Sequence, residues 1–151
     1  MKKITIRDIQ KFKDQRTPFA TVTAYDYVSA RIADAVKIPL LLVGDSAAMV
    51  VYGMDTTIPI SMEEMIFLVR AVCRGSNKSL VVADMPFMSY QASVEDAVRN
   101  AGRFVKEGGA EAVKLEGGRA YTAQIKAIID AGIPVMGHVG LLPQSYHLSS
   151  G

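Results

Sequence analysis

Short apolar runs bounded by Gly or Pro alternate along this chain with longer stretches of helical spacing. Leu40 to Asp45, Leu80 to Asp84, Ala112 to Glu116 and Pro134 to His138 are each apolar and each end in a polar, mostly acidic residue. Runs of this length are too short for helices and predict strands of a parallel sheet buried on both faces. Phe19 to Tyr25 predicts a further strand ahead of them. Between the strands the spacing turns helical. Ile6, Ile9 and Phe12 predict a leading helix within Thr5 to Lys13, and Asp26 is placed to cap a helix running to about Val36, which Ile38-Pro39 ends. Ser61 and Glu64 form a capping-box pattern for a helix stopping at Gly75. Ser93 caps one that runs to Glu107 and stops at Gly108-Gly109, and another ends at Gly132.

Five strands alternating with helices predict an α/β fold with a parallel sheet and right-handed crossovers. Residues 1–151 read as a single domain, with no linker, repeat or low-complexity tract. Active sites of such folds lie at the carboxyl ends of the strands, whether the sheet is open or closed. The long stretches Ser46 to Ile60 and Met85 to Ala92, expected as loops, follow two strands and suit the catalytic face of a barrel. A complete barrel needs eight units and about 250 residues. With five units, the chain reads as the amino-terminal part of a larger barrel, ending in a loop at Ser149-Ser150-Gly151.

Composition narrows the partners. The chain has 151 residues and is 50% hydrophobic, enough for one core, and 17 basic against 15 acidic residues leave a formal charge of +2. No block of like charges argues for nucleic acid or an anionic membrane, so a small molecule is the expected partner. The charged segment Met1 to Phe19 lacks the apolar centre of a signal peptide, and no run approaches the length of a membrane span, so a cytoplasmic protein is expected. Cys73, the sole cysteine, falls in a predicted helix and is read as a buried inert thiol.

Strand alternation places Lys114 and Glu116 on one face, away from Val113 and Leu115, and pairs Val43 with Asp45 and Val82 with Asp84. Asp45, Asp84 and Glu116 are thereby expected to converge around one ammonium. Like charges so close require neutralisation, and all-oxygen ligation with room for water and substrate points to Mg2+ rather than Zn2+. Each acid taken alone is as well explained by a helix cap or an ion pair. Lys114 reads as a contact to an anionic substrate group or as a bridge to Glu116. His138 divides evenly between a site residue and a satisfied core histidine, Gly117-Gly118 reads as a tight turn, and Met49, Met54, Met62, Met65, Met85 and Met88 read as gap-filling side chains.

The motifs Val43-Gly-Asp-Ser46, Met49 to Gly53, Asp55-Thr-Thr57, Asp84-Met-Pro-Phe87 with Ser89-Tyr90, Val113-Lys-Leu-Glu-Gly-Gly118, and Gly137 to Leu141 with Pro143-Gln-Ser145 resemble ketopantoate hydroxymethyltransferase in order and spacing, over nearly the whole chain. The resemblance implies a TIM barrel of the phosphoenolpyruvate mutase and isocitrate lyase type. It implies transfer of a one-carbon unit from 5,10-methylenetetrahydrofolate to 3-methyl-2-oxobutanoate, giving 2-dehydropantoate in pantothenate synthesis through a Mg2+-stabilised enolate. It also implies Asp45, Asp84 and Glu116 as metal ligands, the last directly or through water, with Asp45, Ser46, Asp84 and Lys114 at the substrate, and a homo-oligomer for the intact protein. The family's general-base glutamate, on a later strand, matches no position here.

Two departures bear on pocket shape: Ala47-Ala48 where the family commonly has Leu-Gly, and Leu142 where it has Thr. The alternatives are another 2-oxo acid lyase or mutase of the same superfamily, and an inactive fragment whose unpaired edges make it self-associate.

Overall fold

The five expected strands form one sheet in a computed structural model that describes residues 2–149. β1 (Thr21–Thr23), β2 (Leu40–Val43), β3 (Leu80–Asp84), β4 (Ala112–Glu116) and β5 (Val135–His138) pair in parallel in the order β1-β2-β3-β4-β5. A doubly wound sheet reverses its strand order at a switch point, whereas strands added strictly in sequence build the wall of a β/α barrel. The architecture is therefore a partial barrel.

The helices are α1 (Ile6–Asp14), α2 (Tyr27–Ala35), α3 (Ala47–Val50), α4 (Met62–Gly75), α5 (Val94–Arg103), α6 (Thr122–Asp130) and α7 (Tyr146–Ser149). Their starts follow the expected caps: Asp26 accepts from the amides of Val28 and Ser29, Ser61 and Glu64 close a reciprocal capping box, and Ser93 accepts from Asp96. The helix expected to reach Glu107 does so, but its last turn widens into a π-helix at Phe104–Gly108, which buries Phe104 and lays Gly108 against Val69. At the end of α4, a Cβ on Gly75 would stand 2.6 Å from the Tyr27 carbonyl, so glycine is what lets α4 lie on α2.

Alternation along the strands sorts the core into two layers. Leu41, Val43, Val81, Ala83, Val113 and Leu115 pack beneath the outer helices, while Leu40, Leu80, Val82 and Ala112 face the other way, against Ile4, Ile9 and Phe19 at the amino-terminal end. Asp84, Lys114 and Glu116 are in phase with this second, inner set. The elements otherwise depart from expectation chiefly at their ends. β1 is three residues long, β2 stops at Val43, and the stretch after β2 contains the single turn α3. Of the expected terminal loop, Ser149 closes α7, and Ser150 and Gly151 lie outside the described residues. Among the described residues no helix is long and apolar enough to cross a membrane.

Met65 and Met85 are buried in the core with Met54 and Met62 packed against it, as gap-filling requires, but Met49 and Met88 are exposed. Cys73 is only partly buried, on the side of α4 packed against the core, rather than fully buried as expected, and desolvation still pushes its thiol up to about 11, which keeps it in the unreactive neutral form. Gly117 and Gly118 both take left-handed backbone and form the tight turn after β4.

Candidate active site at the strand ends

Three adjacent strands deliver the polar cluster. Asp84 and Lys114 are register partners across β3 and β4, so their side chains start side by side on the inner face. The Lys114 ammonium donates to both Asp84 oxygens, at 2.7 and 2.8 Å, and stands 3.7 Å from Glu116 Oε1. Asp45, Asp84, Lys114 and Glu116 are 4, 2, 8 and 2% exposed, so this is a desolvated centre rather than a surface ion pair.

Asp45 arrives by a different route from the expected one. Val43 packs under the helices, and the strand ends there; Gly44 and the following turn break the alternation, so Val43 and Asp45 do not share a strand face. From the turn, the Asp45 amide donates to Asp84 Oδ2 at 3.3 Å. Ser46, expected at the substrate, bonds through its hydroxyl to Tyr25 at 2.9 Å and makes no hydrogen bond to the carboxylates. His138, paired with Glu116 in the register of β4 and β5, places Nδ1 3.1 Å from Glu116 Oε1.

The residue that ties the strand ends together is Gln144, on a short 3-10 turn after β5. Its Nε2 donates to Asp45 Oδ2 and to the Met85 carbonyl, both at 2.9 Å. Its Oε1 accepts from the Tyr90 hydroxyl at 2.8 Å and from Gln91 Nε2 at 3.0 Å, and its backbone amide donates to Glu116 Oε2 at 3.2 Å. The Tyr90 hydroxyl in turn accepts from the Glu116 amide at 3.1 Å. All four valences of the Gln144 side-chain amide are thus used, which fixes its orientation. Tyr90, Gln91 and Tyr25 were not singled out as site residues from sequence, because uncharged groups paired across long sequence separations leave no local pattern. The only signals were the Ser89-Tyr90 and Pro143-Gln-Ser145 blocks of the family resemblance.

Burial raises the Asp84 carboxyl to about 7, against the attraction of Lys114 and with the charge of Asp45 adding to the rise. Burial likewise raises Asp45, while the bond from Gln144 and the charge of Lys114 oppose it. An aspartate in the unfolded chain titrates near 3.9. Between about 4 and 7 the folded chain therefore holds protons that the unfolded chain releases, so this contribution to stability is complete below about 4 and declines as pH rises through 7. We expect urea midpoints to fall between pH 5 and pH 8, with a slope of at most about 1.4 kcal/mol per pH unit for each group, and the Asp84→Asn chain to show a shallower slope. An unchanged slope in that variant would contradict the assignment.

Three carboxylates were expected to enclose a metal ion. Among the described residues no three of His, Cys, Asp and Glu are grouped to hold one, because Glu116 is drawn to Lys114, His138 and Gln144. What is assembled is the neighbouring pair Asp45 and Asp84. That donor set suits Mg2+, which takes one or two carboxylates and completes its octahedron with water and substrate oxygens.

A family model described as ketopantoate hydroxymethyltransferase matches residues 3–151. Two relatives named 3-methyl-2-oxobutanoate hydroxymethyltransferase are similar throughout: that of Carboxydothermus hydrogenoformans is 54% identical over 151 residues, all of this chain and 55% of the relative, and that of Thermobifida fusca is 53% identical over 150 residues, 99% of this chain and 54% of the relative. The chain spans about half the length of the curated relatives it matches. Among solved structures, phosphoenolpyruvate phosphomutase from Streptomyces platensis subsp. rosaceus aligns with TM-score 0.70 at 16% identity, covering 88% of this chain and 53% of that one. A 2,3-dimethylmalate lyase, described as a PEP mutase/isocitrate lyase superfamily member, aligns with TM-score 0.68 at 16% identity, covering 96% of this chain and 54% of that one. At these identities the likeness is one of fold.

Proposed function

The chain belongs to the ketopantoate hydroxymethyltransferase family, and from that premise we propose that it supplies the substrate-binding and charge-stabilising half of an enzyme that transfers a hydroxymethyl group from 5,10-methylenetetrahydrofolate to 3-methyl-2-oxobutanoate. The observation that carries the reading is the burial of Asp45, Asp84, Lys114 and Glu116 together at the carboxyl ends of adjacent parallel strands. Asp45 and Asp84 would hold Mg2+, with Glu116 reaching it through water. When bound, that ion supplies Lewis acidity that draws charge from the 2-oxo acid and acidifies the adjacent carbon.

The protein's own groups do the rest of the work assigned here. Lys114 sits between Asp84 and Glu116, and in this reading its ammonium would meet the oxygen on which negative charge develops as the proton leaves. A preorganised cation in a dry site is worth far more there than in water. Gln144 and the Asp84-directed amide of Asp45 hold the acids in place, so little reorganisation accompanies the charge development. Exclusion of water around these four side chains strengthens each of these interactions.

None of the site acids is left for proton abstraction in this scheme, since Asp45, Asp84 and Glu116 are all engaged in binding. The expected result is that the 151-residue chain, given 3-methyl-2-oxobutanoate, 5,10-methylenetetrahydrofolate and Mg2+, forms no 2-dehydropantoate. Product detected by mass spectrometry above a protein-free control would contradict the assignment of the proton acceptor to a position outside this sequence.

A further inference from the structure

Lys114 and a divalent ion claim the same atoms. Of the four acceptor positions on the Asp84 carboxylate, the Lys114 ammonium takes two, one on each oxygen at 2.7 and 2.8 Å, and the Asp45 amide takes a third, on Oδ2 at 3.3 Å. An ion held by Asp45 and Asp84 needs an Asp84 oxygen at its own coordination distance, and Mg2+ tolerates little departure from an octahedron. It would also bring a double positive charge beside an ammonium that is buried with its partners, where little water screens the repulsion. The pairing of Lys114 with Asp84 therefore opposes the binding of the ion.

A second position for the ammonium is built into the same strand face. Glu116 Oε1 stands 3.7 Å from Lys114 Nζ, just beyond hydrogen-bonding distance. Glu116 is held there independently of Lys114, since Oε1 pairs with His138 Nδ1 at 3.1 Å and Oε2 accepts from the Gln144 amide at 3.2 Å. A lysine ammonium is a point charge with three rotatable donors on a flexible stem, so a small torsional change carries it from one carboxylate to the other. Resting on the reading of Asp45 and Asp84 as the ion's ligands, we propose that Lys114 is a built-in counter-ion of Asp84 that yields to the divalent ion and swings toward Glu116, which frees its ammonium for the 2-oxo acid only once the ion is seated. Lys114 thereby works against the ion and for the substrate, and it sets their order: ion first, 2-oxo acid second. A residue that merely braced the strand ends would weaken the binding of both when removed.

The test separates the two ligands. Wild type, Lys114→Met and Lys114→Arg are titrated by calorimetry with Mg2+ alone, and then with 3-methyl-2-oxobutanoate at saturating Mg2+. Lys114→Met is expected to bind Mg2+ roughly tenfold more tightly than wild type, the factor set by releasing one charge-assisted hydrogen bond from Asp84, and to bind the 2-oxo acid roughly tenfold more weakly. Lys114→Arg, whose fork keeps a bidentate grip on Asp84, is expected to bind Mg2+ no more tightly than wild type. Should the missing charge unfold Lys114→Met, Mg2+ is expected to restore its helical circular dichroism, because the ion takes over as counter-charge and binds only the folded chain. Equal or weaker Mg2+ binding by a folded Lys114→Met, failure of Mg2+ to refold an unfolded one, an equal gain in Lys114→Arg, or undiminished binding of the 2-oxo acid by Lys114→Met overturns the inference. Where wild type binds Mg2+, such a result overturns the inference alone; if neither wild type nor Lys114→Met binds Mg2+, the reading of Asp45 and Asp84 as ligands falls with it.

Discussion

Replacement of Lys114 by Met is expected to cost about 3–5 kcal/mol of folding stability at neutral pH, the loss seen when one partner of a buried ion pair is removed. The ammonium bonds both oxygens of Asp84 and stands 3.7 Å from Glu116, and all three side chains are buried. Without it two carboxylates are left facing each other in a low dielectric with no counter-charge. They can lower the cost only by taking up protons, which raises the folded-state pKa of Asp84 further above its unfolded value. The sign of the pH dependence follows. A raised folded pKa gives stability that is present at low pH and lost as pH rises, so the deficit of Lys114→Met should be largest at pH 8 and smallest at pH 5. Urea denaturation at the two values checks this. A deficit below about 1 kcal/mol, the range of exposed ion pairs, would mean that the cluster is solvated.

The second large effect is expected at Gln144, a residue with no charge. Gln144→Leu keeps much of the volume but leaves Asp45 Oδ2, the Met85 carbonyl and the Tyr90 hydroxyl without one of their partners. Each buried polar group so stranded costs about 1–3 kcal/mol, and relaxation of the surface turn that carries Gln144 recovers part of it, so a loss of about 3 kcal/mol is expected. A double-mutant cycle makes the network itself visible. Tyr90→Phe should cost less in the Gln144→Leu background than in the wild type, because the hydroxyl has already lost its shorter bond there and keeps only the Glu116 carbonyl, at 3.2 Å, as acceptor. Additive losses would show that Tyr90 and Gln144 do not act through one another.

These two residues mark what was legible in the sequence. Lys114 was legible because charge, strand alternation and position coincide: a lysine in phase with Glu116 inside an apolar run has few other places to point. The strand order and the helix starts at Asp26, Ser61 and Ser93 were legible for the same reason, as local chemistry and global fold agree there. Gln144 meets its partners across separations of 28 to 99 residues in sequence, and no periodicity encodes such a contact. Asp45 was found as a site residue by the wrong geometry. Alternation holds only while the strand lasts, and this one ends at Val43, so the turn through Gly44 sets where Asp45 points. The turn of helix at Ala47–Val50 is not legible in the sequence, because four residues carry no helical period. Glu116 was expected among the metal ligands from its place at a strand end and from the family resemblance; hydrogen bonds from Gln144 and His138, invisible in sequence, hold it beside Lys114.

The central claim is that these 151 residues already form the cation- and substrate-binding half of the site. Calorimetric titration of the chain with 3-methyl-2-oxobutanoate, with and without Mg2+ and beside Asp84→Asn, addresses it most directly. The account predicts weak binding, in the millimolar range, that requires Mg2+ and is abolished in Asp84→Asn while the fold is retained. Binding that is indifferent to the metal and to Asp84, or no binding by a chain whose circular dichroism is that of a folded α/β protein, would contradict it.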